Sequence, residues 1–403
     1  MSNSNKELKK KSLAVYACRK CGQCANKVTS KVPYICPIRE TTSGFDHFYS
    51  RGKIVIAQGL LEARLEPSRE LAEVVYSCTL CGNCMAKCGA VDRETGGALV
   101  DTVAVVEAMR SDLLEEHPEW VDAEYRNLLS ATKQYDNPWG LPRSAKAKWA
   151  KKLSLPNALE QPSEVLLFVG CTTASNPTLH ERAIKAAEIM QKAGVDAAIL
   201  GKDEPCCGSV QRRIGAVGQA DEMMSANIAL FNRTGCTSIV TLCAGCANAL
   251  KNDYTGGEET LKPNVFHIVE FLAQLLKAGR LNLKKNNPRK IVYHDPCHLG
   301  RHMGIYDAPR DVLSALPGVE LVERTATREN TICCGAGGGM RIFESGSLAG
   351  DIGRLAVESA VQAGTQELVS ACPFCEMNLE AAAKGCSSQV EVCDIIDMVY
   401  DAL

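Results

Sequence analysis

EPCCGSV at residues 204–210 and TICCGAG at residues 331–337 decide the fold of this chain, because each is the centre of a five-cysteine pattern that occurs twice. In the first copy, 34 residues separate a single cysteine from the pair, and 35 separate the pair from a C-x-x-C; in the second copy the gaps are 35 and 37. Equivalent cysteines lie 126 to 129 residues apart, which indicates an internal duplication. The two sets are Cys171, Cys206, Cys207, Cys243 and Cys246, and Cys297, Cys333, Cys334, Cys372 and Cys375.

The sequence around each set has the pattern of an α/β unit. VLLFVGC (165–171) and IVYHDPC (291–297) each read as a buried strand with a cysteine at its carboxyl end. Gly235 and Gly364 precede the two C-x-x-C motifs by eight residues, at positions typical of a left-handed helix cap before a strand. Since open parallel sheets bind ligands at the carboxyl ends of their strands, each unit is expected to gather its five cysteines at one sheet edge. The two units are expected to face each other across a pseudo-twofold axis.

The N-terminal third carries two more cysteine blocks, CRKCGQC (18–24) with Cys36, and CTLCGNCMAKC (78–88). In two-cluster ferredoxins the fourth cysteine of each run ligates the other cluster. A structural zinc site is a poorer match, because zinc uses two pairs of ligands and not triplets with a distant fourth. We therefore predict two cubane [4Fe–4S] clusters, one on Cys18, Cys21, Cys24 and Cys88, and the other on Cys78, Cys81, Cys84 and Cys36.

Composition narrows the functional class. The chain has 403 residues, 21 cysteines and a formal net charge of −2, so no strong field favours nucleic acid. Neither a signal peptide nor an apolar stretch of membrane-spanning length is evident, which predicts a cytoplasmic chain whose attachment to a membrane would run through a partner subunit. Disulfides are not expected in that compartment. The three cysteines outside the motifs, Cys236, Cys386 and Cys393, are interpreted as small buried apolar residues.

The fold class predicted from these patterns is α+β and multidomain. A helical ferredoxin-like domain with two cluster loops is expected over residues 1–116, with Ser68 as a helix N-cap and a further amphipathic helix over 99–114. A proline-containing linker is expected over 117–163. The two α/β modules are then expected over 164–286 and 287–403.

Five thiolates exceed the four that a cubane needs, so each set indicates either an unusual cluster or four ligands with one free thiol. Around Cys297, the residues His294, Asp295 and His298 are candidates for tuning a cluster or supplying protons, or else for an ordinary strand-end turn. Arg301 and Arg341 are candidates for binding an anionic thiol substrate or for structural ion pairs. The glycines of CCGAGGGMR (333–341) are expected to let backbone approach a cluster, and not to bind phosphate.

Two copies of C…CCG…C-x-x-C behind a two-cluster domain resemble the heterodisulfide reductase D subunit family, over nearly the whole chain. The resemblance implies that each five-cysteine set holds a noncubane [4Fe–4S] cluster, and that the two clusters flank a cleft where a disulfide is split. It further implies that the cubane clusters deliver electrons one at a time, and that each noncubane cluster supplies one electron and captures one thiolate. Both sets are complete, which favours this branch over the iron–sulfur subunits of glycolate or glycerol-3-phosphate dehydrogenases, which share the layout.

No flavin, nicotinamide or haem site is evident in the sequence, so electrons are expected to arrive from another subunit. The resemblance implies a membrane cytochrome b-type partner or a flavoprotein, with a small thiol or disulfide as substrate. The alternative function is that of an electron relay in a flavin-dependent glycolate, lactate or glycerol-3-phosphate dehydrogenase complex.

Overall fold

A computed structural model describes residues 5–25, 34–255, 257, 259–284, 288–343, 347–386 and 389–403. Within these ranges the chain forms a helical N-terminal part followed by two four-stranded sheets. In each sheet, every paired strand runs parallel to its neighbour. The expectation of a mixed helix and sheet protein with two parallel α/β units is therefore confirmed.

The N-terminal part consists of helices that start at local capping residues. The Ser68 hydroxyl accepts a hydrogen bond from the Leu71 amide at 3.2 Å, as the sequence predicts. The Asp101 carboxylate accepts one from the Ala104 amide at 2.9 Å, so the predicted 99–114 helix begins three residues later than expected. The helices are α1 (Lys6–Lys9), α2 (Ser12–Tyr16), α3 (Pro37–Thr41), α4 (Ser50–Leu61), α5 (Arg69–Tyr76), α6 (Asn83–Ala86), α7 (Thr102–Glu116) and α8 (Ala123–Tyr135).

The first α/β module has the strand order β2-β1-β3-β4. Its central strands are short and apolar, and all four residues of β1 are buried, as expected for a parallel sheet covered on both faces. Gly235 caps helix α12 with φ 70°, as its position in the sequence predicts. The elements are β1 (Val165–Phe168), α9 (Cys171–Ser175), α10 (His180–Lys192), β2 (Ala197–Ala198), α11 (Ser209–Arg213), α12 (Val217–Thr234), β3 (Ser238–Thr241), α13 (Ala244–Asn248), β4 (Asn264–His267) and α14 (Ile268–Lys277).

The second module repeats this topology with the order β6-β5-β7-β8. Strand β5 pairs with β6 and β7, and β7 pairs with β8, just as β1 pairs with β2 and β3, and β3 with β4. The duplication seen in the cysteine spacing therefore extends to the sheet. The elements are β5 (Arg289–Tyr293), α15 (Asp307–Ser314), β6 (Val319–Leu321), α16 (Ser347–Gln362), β7 (Glu367–Ser370), α17 (Pro373–Gly385), β8 (Glu391–Asp394) and α18 (Ile395–Ala402).

The segment over 117–163, which the prolines suggest is a linker, is folded against its neighbours. It contains α8, whose Tyr125 is buried and donates a hydrogen bond to the Gly339 carbonyl at 3.1 Å. Trp149, in a 3₁₀ stretch over Arg143–Ala150, belongs to the core of the first module. The segment thus connects the domains and packs on both α/β modules. The domain limits stay predictions, and the one between residues 286 and 287 lies outside the described residues.

The three cysteines outside the motifs differ in their surroundings. Cys236 is buried as expected, and Cys393 is half-buried in β8. Cys386 is exposed just after α17, so its interpretation as a buried apolar residue is wrong.

Among the helices that the structure describes, none combines the length and apolar character needed to cross a membrane.

Candidate iron–sulfur sites and the cavity between the modules

The two N-terminal cysteine loops share one backbone conformation. Lys20 and Leu80 precede the second cysteine of each loop, and both have φ 55°. Gly22 and Gly82 follow that cysteine, with φ 76° and 73°. Left-handed backbone is unfavourable for Lys and Leu, so its occurrence at the same place in both loops indicates a geometry that the cysteine triplets require.

Each loop borders a cavity, and the cysteines divide between the two cavities in the predicted groups. The outer cluster cavity is lined by Cys18, Cys21, Cys24 and Cys88. The inner cluster cavity is lined by Cys36, Cys78, Cys81 and Cys84. Cys84 borders both cavities, so the two lie side by side. Cys21 is exposed whereas Cys81 is buried, so the outer cavity lies nearer to solvent.

The donor sets fit iron–sulfur clusters. A cubane needs four thiolates; four cysteines line the inner cavity, and five line the outer one because Cys84 borders both. Burial raises the pKa of Cys36 to about 12, so its thiolate form depends on a bound cation. In the opposite direction, burial lowers the pKa of Lys53, which also lines the inner cluster cavity, to about 8.

In the first module, the cysteines lie at the carboxyl ends of strands and the starts of helices. Cys171 opens α9 directly after Gly170, where φ is 83° and a Cβ would come within 3.2 Å of the Cys246 sulfur. The Cys171 thiol donates to the Cys206 sulfur at 3.7 Å. Cys243 is the N-cap of α13, and Cys246 lies in the first turn of that helix. A helix N-terminus stabilises a thiolate, which suits metal ligands.

The second module repeats this arrangement. Cys372 is the N-cap of α17, with Cys375 on its first turn. Backbone amides point at the paired cysteines: the Gly335 amide donates to the Cys333 sulfur at 3.3 Å, and the Ala336 amide to the Cys334 sulfur at 3.5 Å. Such hydrogen bonds favour the thiolate form.

The two five-cysteine sets meet at one cavity, the intermodule cavity, which nine of the ten cysteines line. Cys243 of the first module and Cys372 of the second interact directly through their side chains. The lining cysteines are Cys171, Cys206, Cys207, Cys243, Cys246, Cys297, Cys334, Cys372 and Cys375.

The inner cluster cavity lies directly against the second module. The side chains of Cys81 and Cys333 are hydrogen-bond partners, so a predicted cubane ligand meets a cysteine of the second set. The His302 ring nitrogen Nε2 lies 3.0 Å from the Leu80 carbonyl oxygen. A Cβ at Gly338 would lie 2.5 Å from the Cys78 carbonyl oxygen. Close backbone packing therefore holds the cysteines of the two domains together.

The polar residues around Cys297 have two kinds of surroundings: the two histidines lie near cysteine thiols or the intermodule cavity, and the aspartate pairs with an arginine. His294 lies beside Cys334 and Cys375, with one ligand-capable atom of each within 4.8 Å of the others. His298 lines the intermodule cavity. Asp295 instead forms an ion pair with Arg310 at 2.7 Å, which corresponds to the structural interpretation of that residue.

The two candidate arginines also differ. The Arg301 guanidinium donates to the carbonyls of Cys81 at 2.6 Å and Thr331 at 2.8 Å, so its main contacts are neither an ion pair nor a substrate site. Arg341 lines the intermodule cavity, and its Nη1 is buried without a hydrogen-bond partner among the described residues. This geometry suits an anion-binding role for Arg341.

The glycine run has a second partner besides the cysteines that the sequence predicts. Gly337 and Gly338 line the intermodule cavity, but they also approach the backbone of Thr79 and Cys78 in the N-terminal loop. The run therefore packs against the N-terminal loop and also brings backbone amides to Cys333 and Cys334.

Several residues at the sites escape sequence reasoning. Trp139 and Phe374 line the intermodule cavity with ring centroids 6.2 Å apart, although Trp139 falls in the expected linker. Lys53 and Arg110 are buried beside the inner cluster cavity. Each lies on a helix, where a basic residue usually faces solvent, so no local signal distinguishes them.

Comparison with known families agrees with this architecture. Residues 14–90 match the 4Fe-4S dicluster domain family. Residues 165–251 and 291–380 match the cysteine-rich domain family. A dicluster domain joined to two cysteine-rich domains, with the thiols converging as described, defines the class of the protein: it is an iron–sulfur oxidoreductase subunit.

Similarity to individual proteins makes the assignment more specific. The chain is 33% identical to the D subunit of dihydromethanophenazine:CoB–CoM heterodisulfide reductase from Methanosarcina barkeri, over 96% of this chain and 93% of that one. The Methanosarcina mazei protein of the same name is also 33% identical, with the same coverage. EtfAB:quinone oxidoreductase of Syntrophomonas wolfei is 28% identical over 82% of this chain and 47% of its own length. The chain therefore belongs to the heterodisulfide reductase D subunit family.

Proposed function

We propose that this chain is the disulfide-reducing subunit of a larger redox complex. The supporting observation is that nine of the ten cysteines of the two sets line one cavity, and that the sets touch through Cys243 and Cys372. A disulfide in that cavity would have a cysteine set on each side. Its reduction consumes two electrons and two protons, breaks the S–S bond and releases two thiols. Iron–sulfur clusters supply the electrons singly, which suits two sites that act on one bond.

The proposed ligands follow the grouping of the cysteines. One cubane [4Fe–4S] cluster would occupy the outer cluster cavity and another the inner. Each set of five cysteines would hold a noncubane [4Fe–4S] cluster. The contact between Cys81 and Cys333 supports an electron path from the inner cluster cavity to the second module, and then across the Cys243–Cys372 contact to the first.

The proposed pseudo-twofold between the modules is supported by reciprocal contacts. Cys243 and Cys372 are equivalent positions in the two copies, and equivalent residues that touch lie on a twofold axis. Helix α10 of the first module packs on α18 of the second. Helix α14, the counterpart of α18, packs on α15, the counterpart of α10.

Partners are proposed from the relatives and the exposed outer loop. The relatives from Methanosarcina are named as the D subunit of a reductase, so a second subunit that supplies electrons is expected. Cys21 is exposed, which makes the outer cluster cavity the natural site for electron arrival. A cytochrome b-type membrane protein or a flavoprotein would serve as the donor.

A pair of single variants tests the disulfide reaction. Cys207→Ala and Cys334→Ala each remove one cysteine of a different module and leave all eight N-terminal cysteines in place. Disulfide reductase activity of the anaerobically purified protein, with reduced viologen as donor and the CoB–CoM heterodisulfide as substrate, should fall at least a hundredfold. Cys236→Ala and Cys393→Ala, which remove a cysteine outside each set, are the matched controls and should keep parental activity.

Iron content distinguishes the two competing functions. A disulfide reductase with four clusters is expected to contain about sixteen irons per chain. If the Cys207→Ala and Cys334→Ala variants reduce the disulfide at the parental rate, the proposal is wrong. A flavoprotein partner, a lower iron count and no disulfide activity would instead identify an electron relay, the role suggested by the similarity to EtfAB:quinone oxidoreductase.

A further inference from the structure

The inner cluster cavity is bordered by buried cationic side chains whose contacts are all neutral. Lys53 lines the cavity and is 1% exposed. Its ammonium donates to the carbonyls of Val74 at 2.5 Å and His47 at 3.3 Å, and to the Ser77 hydroxyl at 3.2 Å. Within the described part of the chain, no carboxylate lies within 4.0 Å of this ammonium. A buried charge without a counterion is costly, so a negative group is expected near this ammonium.

Arg110 presents the same situation next to Cys78, one of the cysteines that line the cavity. Its guanidinium is fully buried and donates to the Cys78 carbonyl at 2.7 Å. The remaining contacts are also to backbone carbonyls, which include those of Arg213 at 2.7 Å and Gly338 at 2.8 Å. Across the described ranges, no carboxylate pairs with it within 4.0 Å.

A third cation, Arg301, lies where the inner cluster cavity meets the second module. Its Nε donates to the Cys81 carbonyl at 2.6 Å. Its Nη2 is buried and has no hydrogen-bond partner among the residues that the structure describes. Three buried cations without a carboxylate partner thus lie beside one set of four cysteines: one lines the inner cluster cavity, and two donate to the carbonyls of cysteines that line it.

The outer cluster cavity has a contrasting environment. Arg51 borders it but forms an ion pair with Asp46, and 31% of the Arg51 side chain is exposed. Arg19 and Lys20 are also on its lining and are exposed to solvent. Water and salt screen exposed charges, whereas buried charges interact strongly over the same distances.

Charge balance connects this contrast to electron flow. An iron–sulfur cluster on four cysteine thiolates is an anion, and reduction adds one further negative charge. Burial by itself disfavours that extra charge and lowers the reduction potential, whereas nearby buried cations favour it and raise the potential. An anionic cluster on the four cysteines would therefore supply the negative charge that the three buried cations lack.

We propose that Lys53, Arg110 and Arg301 raise the reduction potential of the inner cluster above that of the outer cluster, so that an electron collects beside the second module. The inference rests on the proposed placement of the two cubane clusters. It assigns these three residues a positioning function for charge, and not a contact with substrate. The step is a one-electron transfer from the reduced outer cluster to the oxidised inner cluster.

Lys53→Met tests the inference, because it removes the charge and keeps a side chain of similar length. Redox titration of the anaerobic holoprotein, followed by electron paramagnetic resonance, gives the midpoint potential of each cubane cluster. The inner signal is assigned as the one that disappears in Cys36→Ser, and the outer as the one that disappears in Cys18→Ser. In Lys53→Met, the equilibrium between the outer and inner clusters should shift at least tenfold toward a reduced outer cluster, about 59 mV for one electron.

Three companion variants make the result decisive. Lys53→Arg keeps the charge and should retain the parental potential. Arg51→Met removes the cation that is paired with Asp46 at the outer cluster cavity. It should change the equilibrium between the outer and inner clusters by much less than tenfold. Arg301→Met should lower the inner potential as Lys53→Met does, and it provides the test if Lys53→Met does not assemble its clusters.

An unchanged inner potential in Lys53→Met or Arg301→Met, with iron content and both cubane signals retained, overturns the inference. That result would leave the disulfide reductase proposal intact, since the titration uses no substrate. Absence of two cubane signals in the parental protein would instead contradict the cluster placement itself. The two failures are therefore distinguishable in one experiment.

Discussion

Arg110 connects the three parts of the molecule through a single side chain. Its guanidinium donates to carbonyls of the N-terminal cysteine loop, of the first module at Arg213 and of the second module at Gly338. It also lies over the Tyr76 ring, with 5.0 Å between the guanidinium carbon and the ring centroid. Since these carbonyls are buried, each would lose its partner if the guanidinium were removed.

Arg110→Met should lower the free energy of unfolding by about 3 kcal/mol or more, because several buried carbonyls lose a charged donor. The measurement is urea unfolding of the anaerobic holoprotein. Arg69→Met is the control: Arg69 is 69% exposed and lies 3.8 Å from Glu73, so its loss should change stability by about 0.5 kcal/mol or less. Equal effects of the two variants would show that Arg110 does not join the domains energetically.

At the scale of elements, the loop over residues 337–339 holds the second module against the N-terminal cysteine loop. A Cβ at Gly338 would lie 2.5 Å from the Cys78 carbonyl, and φ at this glycine is 64°. Both the backbone conformation and the space therefore require glycine. The contact keeps Cys81 beside Cys333, so the geometry of this loop determines how near the inner cluster cavity lies to the second cysteine set.

Gly338→Ala should push the two loops apart and destabilise the protein by about 1–3 kcal/mol. It should also slow electron transfer from the cubane clusters to the second module, which stopped-flow absorbance after rapid reduction would measure. Gly350→Ala in α16 is the matched control, because a Cβ there meets no atom within 4 Å. That control should be neutral or stabilising by up to about 1 kcal/mol. A parental transfer rate in Gly338→Ala would contradict the function assigned to the loop.

At the scale of the whole molecule, the cysteine sites form a series from the surface to the interior. The outer cluster cavity includes the exposed Cys21, the inner cluster cavity lies behind it, and all ten cysteines of the two five-cysteine sets are buried. This order matches a protein that receives electrons at its surface and uses them in an enclosed cavity, where water is largely excluded.

Controlled exposure to an iron chelator should therefore remove iron in steps. The first loss should be about four irons per chain, together with the outer cubane signal, since a cubane holds four. Iron analysis and electron paramagnetic resonance on the same samples would follow the sequence of losses. Simultaneous decay of all signals would mean that burial does not control the stability of the sites.

The sequence by itself determined much of the fold and of the candidate site, because those features depend on local spacing. The cysteine triplets, the duplicated sets and the strand before each set are visible within short windows. Gly235 at a helix cap and Ser68 at an N-cap are confirmed for the same reason, since capping needs only neighbouring residues.

Only the tertiary structure decided which distant residues meet. The contacts of Cys81 with Cys333 and of Cys243 with Cys372 join residues more than a hundred positions apart. Lys53 is buried by contacts with distant helices of the N-terminal part, and Arg110 by packing between domains, and neither burial has a local sign in the sequence. The charge environment of a cluster is a sum over such long-range contacts, and spacing along the chain does not encode it.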